Sequence, residues 1–218
     1  MGDSWGSRSA QCTRLAWSFQ ENKMNADHAG VEIPRGNFSL TCVVPVYNEE
    51  PHIRRLLWAL HRCISEMTSR VEIIVIDDGS TDRSREEILQ AAKTLPIHYL
   101  AFSRNFGKEF AIQAGLDAAQ GDCVIILDGD FQHPLAALPA MVCRWKAGAD
   151  MVYAVPANRG HDSPIKRLAS RIYYRWLVPR SALRIPANAG DFRLLDRKVV
   201  EALRALPERN RYMKGLYA

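Results

Sequence analysis

The feature that most limits what this chain can fold into is the alternation of short apolar runs, rich in β-branched residues, with longer stretches of helical periodicity. The runs fall at residues 40–46, 71–76, 97–102, 123–127 and 150–155 and read as strands, the fourth as one buried on both faces. Between the first two, Ile53, Leu56, Leu57, Leu60 and Ile64 recur at helical spacing over residues 51–67, with Pro51 suited to a first turn. Further helices are predicted over 83–93, 109–119, 135–146 and 198–206. Strands separated by helices need crossover connections, so the predicted architecture is an α/β fold with a mainly parallel sheet and helices on both faces. Ligands of such sheets bind outside the carboxyl ends of the strands.

The polar signatures of the sequence sit at those ends. They are Tyr47-Asn48-Glu49, Asp77-Asp78-Gly79-Ser80-Thr81-Asp82, Arg104-Asn105-Phe106-Gly107-Lys108 and Asp128-Gly129-Asp130-Phe131-Gln132-His133-Pro134. Random acidic turns would scatter over both rims, so their clustering on one points to a functional edge. In an extended chain Asp128 and Asp130 project to the same side, with Gln132 following if the chain stays extended, while Gly129 lets a ligand approach the backbone. Mg²⁺ or Mn²⁺ takes only one or two protein carboxylates and completes its shell with water and substrate phosphates, so a short acidic pair suits a metal-nucleotide. The competing reading is a solvated acidic turn. No Gly-x-Gly-x-x-Gly follows the first strand and no Gly-x-x-x-x-Gly-Lys-Ser/Thr loop occurs, so a diphosphate would be held through a bridging metal.

Composition narrows the class. With 218 residues, 47% of them hydrophobic, the chain can bury a sizeable core in one domain and is not a disordered polymer. A formal charge of +5 is modest for this length and suits phosphate groups; nucleic acid is not expected as a partner. The cysteines at 12, 42, 63, 123 and 143 are odd in number, lack metal-ligand spacing and read as reduced, mostly buried thiols. No apolar run approaches bilayer-spanning length, and the N-terminus lacks the basic-then-apolar order of a signal peptide. Residues 1–37, rich in Ser, Asn, Gly and Gln, are expected to form a flexible extension, with Met24 an alternative start.

Taken together, Val43-Val44-Pro45-Val46-Tyr47-Asn48-Glu49, Val75-Ile76 with the acidic loop to Asp82, Arg104 to Glu109, and Asp128 to Pro134 resemble family 2 glycosyltransferases. The nearest resemblance, over residues 39–218, is to polyprenyl-phosphate sugar transferases of the dolichol-phosphate mannosyltransferase and bactoprenol glucosyltransferase kind. It implies a GT-A fold over 38–218, a nucleotide-sugar donor, Mg²⁺ or Mn²⁺, and inversion at the anomeric carbon; the glucosyl branch favours UDP. Carried over by motif, Pro45, Tyr47, Glu49 and Asp77 or Asp78 would line the nucleoside pocket. Asp128, Asp130 and Gln132 would hold the metal, Asp130 acting in catalysis, while Arg104 and Lys108 would either face the donor or cap the neighbouring helix. Asn48 and Ser80 read as turn chemistry, and His133 as a turn residue rather than a ligand.

Residues 155–218 are expected to form the acceptor half. Between 159 and 180, Arg159, His161, Lys166, Arg167, Arg171, Arg175 and Arg180 alternate with Ile165, Leu168, Ile172, Tyr173, Trp176 and Leu177, the pattern of a basic amphipathic helix in a membrane interface or of a core-packed helix with a solvated face. Asn188 to Leu195 again resembles these transferases, which implies Asp191 near the acceptor, as base or orienting group, and Arg193 on phosphate. Arg159, Lys166, Arg167, Arg211 and Lys214 would hold acceptor or diphosphate oxygens. Members of this type continue into an interfacial region and two membrane-spanning helices, so the chain is expected to be a fragment of a protein working at the cytoplasmic face of a membrane on a polyprenyl phosphate. Two rival readings are a transferase acting on a sugar hydroxyl, which needs a true base, and a non-catalytic basic module binding RNA or membrane, which leaves the acids on one rim unexplained.

Overall fold

A computed structural model describes residues 36–153 and 192–206. Six strands, β1 (Ser39–Val46), β2 (Arg70–Asp77), β3 (Ile97–Ala101), β4 (Cys123–Ile126), β5 (Met151–Tyr153) and β6 (Arg193–Asp196), form one sheet in the order β3-β2-β1-β4-β6-β5. The first four pair in parallel, β1 lying between β2 and β4, so their carboxyl ends share one rim. The sheet is mainly parallel, as expected, with β6 running antiparallel to both β4 and β5. That reversal starts β6 at the functional rim, with Arg193 opposite Ile126.

Helices cover both faces. On one, α1 (Ile53–Met67), α2 (Ser84–Ala91) and α4 (Leu138–Lys146, entered through a 3-10 turn at Leu135–Ala137) pack Ile53, Leu57, Leu60, Ile88, Leu138 and Val142 onto Leu40, Cys42, Val44, Ile73, Val75, Cys123 and Ile125. On the other, α3 (Lys108–Ala118) and α5 (Arg197–Ala205) pack Ala111, Ile112, Leu116, Val200 and Leu203 onto Val43, Ile74, Ile76, Val124 and Ile126. Successive strand residues serve opposite faces, which is why the strands are apolar throughout. The sequence reads residues 40–46 as a strand that includes Pro45, and β1 runs through to Val46. Pro45 is tolerated in a central strand because pairing with β4 ends at Val43, so no neighbour on that side asks for the missing N–H.

Two contacts fix the later elements. Asp196 caps α5 by accepting from Lys198 N at 3.0 Å, and its other oxygen accepts from Trp145 Nε1 at 2.6 Å, tying α4 to the antiparallel strand. From α5, Arg197 donates to the carbonyls of Ala119 and Gly121, and Arg204 to those of Leu116, Asp117 and Ala119, satisfying the open carboxyl end of α3. Cys42 and Cys123 are buried free thiols and Cys63 a half-buried one. Burial is the first cause that pushes Cys63 up to about 11 and Cys123 up to about 12, so both are inert at neutral pH. Among the described residues no helix is long and apolar enough to cross a membrane.

Gly115 lets α3 lie close on the sheet: a Cβ there would meet Val43 Cγ1 and approach Ile76 Cδ1 to 2.7 Å. Gly115→Val is expected to destabilise the fold by about 1–3 kcal/mol through overpacking, read as a lowered urea midpoint.

Candidate active site

Each of the four parallel strands hands its signature to the same rim, and the loops are bonded to one another in sequence around it. From the β1 loop, Asn48 adopts a left-handed φ of 55°, and its Oδ1 accepts from Thr81 N at 2.8 Å while its own N–H donates to Ser80 Oγ at 3.0 Å. Glu49 N donates to Ser84 Oγ at 2.8 Å and Glu50 N to Asp82 Oδ2 at 3.0 Å. Asn48 and Ser80 thus perform the turn chemistry expected of them. Tyr47 stands exposed beside them.

The β2 loop is then tied to the β3 loop. Asp77 and Asp78 are only 4% and 3% exposed. Asp77 accepts from Ser80 N at 2.8 Å and from Tyr99 Oη at 2.7 Å, while Asp78 accepts from Phe106 N at 2.7 Å and Gly107 N at 2.9 Å. Both oxygens of each carboxylate are therefore engaged within the protein. Burial and the Asp77 contact push the Tyr99 hydroxyl well above its ordinary range, so it stays a donor. Gly79, at φ 70°, packs against the Arg104–Asn105 backbone, where a Cβ would lie 2.7 Å from Asn105 N. The Arg104 guanidinium lies 4.7 Å from the Phe106 ring centre.

The β3 loop ends at Lys108, the first residue of α3, whose Nζ reaches Asp128 Oδ1 at 2.6 Å. That oxygen is shut off from solvent yet makes no well-directed hydrogen bond, so the contact is an ion pair by distance alone. Asp128 Oδ2 lies 3.2 Å from His133 Nε2, and the His133 ring stacks on Phe192 at 4.8 Å. His133 is therefore more than a turn residue. Burial pushes the Asp128 carboxyl up, but His133 and Lys108 outweigh it and hold it below the ordinary range.

Past Asp128 the chain does not stay extended. Gly129 and Asp130 turn, Phe131 takes a left-handed φ of 61°, and Asp130 Oδ1 accepts from Gln132 N at 3.0 Å. Arg55 lies 5.2 Å over the Phe131 ring, holding the turn from α1. Gly129 passes tightly under the first loop: a Cβ on it would lie 3.3 Å from Pro45 O and 3.4 Å from Glu49 Cγ. Glu49 is thereby brought to the acidic turn. Burial first, then Asp130, Asp82 and Asp128, raise its carboxyl above the ordinary 4.5, with His52 opposing.

Glu49, Asp128 and Asp130 thus form an oxygen-rich edge with a surplus of negative charge and one shielded, poorly satisfied carboxylate oxygen. Such donors fit a hard divalent ion that finishes its shell with water and phosphate. Among the described residues no group of three or more His, Cys, Asp or Glu side chains is placed to hold a metal ion. Arg193 is 2% exposed at the start of β6. Asp191, Arg159, Lys166, Arg167, Arg211 and Lys214, like residues 1–35 of the predicted N-terminal extension, lie outside the described residues. What the sequence reading missed is Tyr99, Ser84, Arg55 and Phe192. Only Phe192 carried a signal, as the residue after Asp191 in a recognised motif.

Residues 41–204 match the family described as glycosyl transferase family 2. The chain belongs to that family. A bactoprenol glucosyl transferase of Shigella phage SfV is 42% identical over 178 residues, covering 81% of this chain and 58% of that protein. A glycosyltransferase of Synechocystis sp. is 39% identical over 180 residues, covering 82% of this chain and 57% of its own length. The chain therefore spans a little over half the length of these relatives. Among solved structures, the mannosyltransferase PcManGT from Pyrobaculum calidifontis, in complex with GDP-Man and Mn²⁺, superposes with a TM-score of 0.57 at 21% identity, covering 92% of this chain and 55% of that one. The architecture is the GT-A fold of family 2 glycosyltransferases.

Two outcomes test this geometry. Asp78→Asn keeps one acceptor oxygen where two backbone donors need one each, so it is expected to cost about 1–3 kcal/mol and to speed hydrogen exchange at the Phe106 and Gly107 amides. Because the Glu49 carboxyl is raised on folding, its contribution to stability falls as pH climbs through that window, and the ionised side chain is a liability above it. Glu49→Gln is expected to raise the thermal midpoint at neutral pH in chelator-treated buffer, the gain vanishing near about pH 4 in scanning calorimetry.

Proposed function

We propose that this domain moves a sugar, with inversion, from a nucleotide-diphospho-sugar, a UDP-sugar, to a polyprenyl phosphate such as undecaprenyl phosphate. The observation that carries the reading is the convergence of four strand exits on one rim, with Asp128 and Asp130 brought beside Glu49. The likeness to a bactoprenol glucosyl transferase supports the lipid acceptor and the glucosyl branch. Pro45 and Tyr47 border the nucleoside pocket, with Asp77 and Asp78 shaping it from beneath through the bonds they make to the surrounding loops.

Asp130 and Gln132, with Asp128, are the residues that would hold Mg²⁺ or Mn²⁺, which when bound neutralises negative charge on the departing diphosphate. Lys108 offers the same rim a cation from the protein, and His133 keeps Asp128 in place. The acceptor phosphate is its own nucleophile at neutral pH, because the second pKa of a phosphate monoester is about 6. Asp191 then orients the acceptor, and Arg193, Arg159, Lys166, Arg167, Arg211 and Lys214 hold phosphate oxygens. In this reading the protein acts at the cytoplasmic face of a membrane, with the basic stretch of 159–180 against the lipid heads.

A panel of nucleotide-sugars titrated with and without Mn²⁺ is expected to give metal-dependent binding of a UDP-sugar. Asp130→Ala is expected to remove glycosyl transfer to polyprenyl phosphate by at least about a hundredfold while leaving the circular dichroism spectrum unchanged. Turnover near normal in the folded variant would refute the assignment, and transfer to an oligosaccharide but not to a lipid phosphate would move the acceptor to a sugar hydroxyl.

A further inference from the structure

We propose that Arg55 is a positioning residue for the acidic turn: through the Phe131 ring it keeps the Asp130 carboxylate set for a divalent ion. The inference rests on the metal-dependent reading above and names what holds that edge in shape. Phe131 has a φ of 61°, a left-handed conformation that a bulky L side chain rarely adopts. Strain of this kind persists only where the surroundings over-determine it, and it gathers at functional sites. Here the strained residue stands between Asp130 and Gln132, inside the turn that Asp130 Oδ1 closes by accepting from Gln132 N at 3.0 Å. Were Phe131 to relax to an extended φ, Gln132 N would leave Oδ1 and the carboxylate would lose its fixed orientation.

Two contacts hold the ring where this conformation puts it. It is half-buried against the core that α1 shares with the sheet, and the Arg55 guanidinium lies over it, 5.2 Å from the ring centre. Arg55 is itself carried on a rigid support. Ile53, Leu56 and Leu57 around it are buried, and the N–H groups of His52 and Ile53 donate to Glu49 O at 3.0 and 2.9 Å. One helix end therefore holds both sides of the acidic edge, Glu49 by its backbone and Asp130 by way of Phe131. A turn whose ion-ready form is strained is populated according to what opposes the strain, and the apparent ion affinity scales with that population.

The experiment compares the full chain with Arg55→Met, which removes the cation and keeps an unbranched stem. Two quantities are read: the exchange rate of the Gln132 amide, by NMR in chelator-treated protein, and the Mn²⁺ dissociation constant with UDP present, by paramagnetic resonance of free Mn²⁺. Arg55→Met is expected to speed Gln132 exchange and to weaken Mn²⁺ binding, each by about twofold to fivefold. The sign separates this from plain electrostatics, since a guanidinium acting only through its charge would repel Mn²⁺ and its removal would tighten binding. In a Phe131→Leu background, which keeps an apolar side chain but lacks the aromatic face, adding Arg55→Met is expected to change neither quantity. Arg55→Lys, which retains a cation for the ring, is expected to keep most of the affinity. Unchanged Gln132 exchange, unchanged or tighter Mn²⁺ binding, or an equal effect of Arg55→Met in both backgrounds overturns the inference. Arg55→Gln provides the same comparison if Arg55→Met does not fold, as judged by its thermal transition. Asp130→Ala separates the two levels: if it loses Mn²⁺ while Arg55→Met binds as the parent does, only the role of Arg55 is wrong. If Asp130→Ala binds Mn²⁺ as the parent does, the metal reading fails and the positioning role with it.

Discussion

Parallel pairing of β1 with β2 on one side and β4 on the other is the constraint from which the rest follows. A parallel strand must return to its starting edge before it can pair again, so each of the four parallel strands is followed by a helix and their exits open on the same side. Four loops of unrelated sequence are thereby made neighbours. Once adjacent, their short polar side chains have backbone donors within reach that are not their own, and the rim becomes a circuit of bonds from Asn48 through Ser80 and Asp78 to Lys108 and Asp128.

Within that circuit the acids divide by burial into two kinds. Asp77 and Asp78 are sunk beneath the rim and have both oxygens occupied by the protein. Glu49, Asp128 and Asp130 lie higher, where mutual repulsion is only partly relieved by Lys108 and His133. The first kind gives the loops their shape, and the second leaves a local charge that a ligand can neutralise. A loop cluster needs both, because carboxylates that balanced one another fully would have no use for a cation, and none would stay in position without the buried pair.

How much of this was legible in the sequence depended on the range of the interaction. Strand and helix positions were legible because the apolar periodicity of Leu40 to Val46 or Ile53 to Ile64 reports local geometry and burial together, and bounds shifted by only a residue or two. The rim was legible through the order of its motifs. The antiparallel β6 was not, because four residues after a long connection carry too little pattern to show direction. Nor was the fate of individual side chains. His133 meets Asp128 only because Phe131 turns into the left-handed region, and Tyr99 meets Asp77 across a strand pair; both are consequences of tertiary placement with no local trace. The resemblance to known transferases supplied roles for Asp128, Asp130 and Gln132 that spacing alone left open between a metal edge and a solvated turn.

The arginines of α5 that grip the last carbonyls of α3 have a consequence at the opposite end of that helix. A helix anchored at its tail behaves as a stiff strut, and whatever sits on its head is set to within a fraction of an ångström by bonds some sixteen ångströms or so away, about 1.5 Å for each residue between. Residues 197–204, remote in sequence from the first three strand exits, thus work as a backstop for Lys108, which faces the acidic edge, and loosening them would blur its aim.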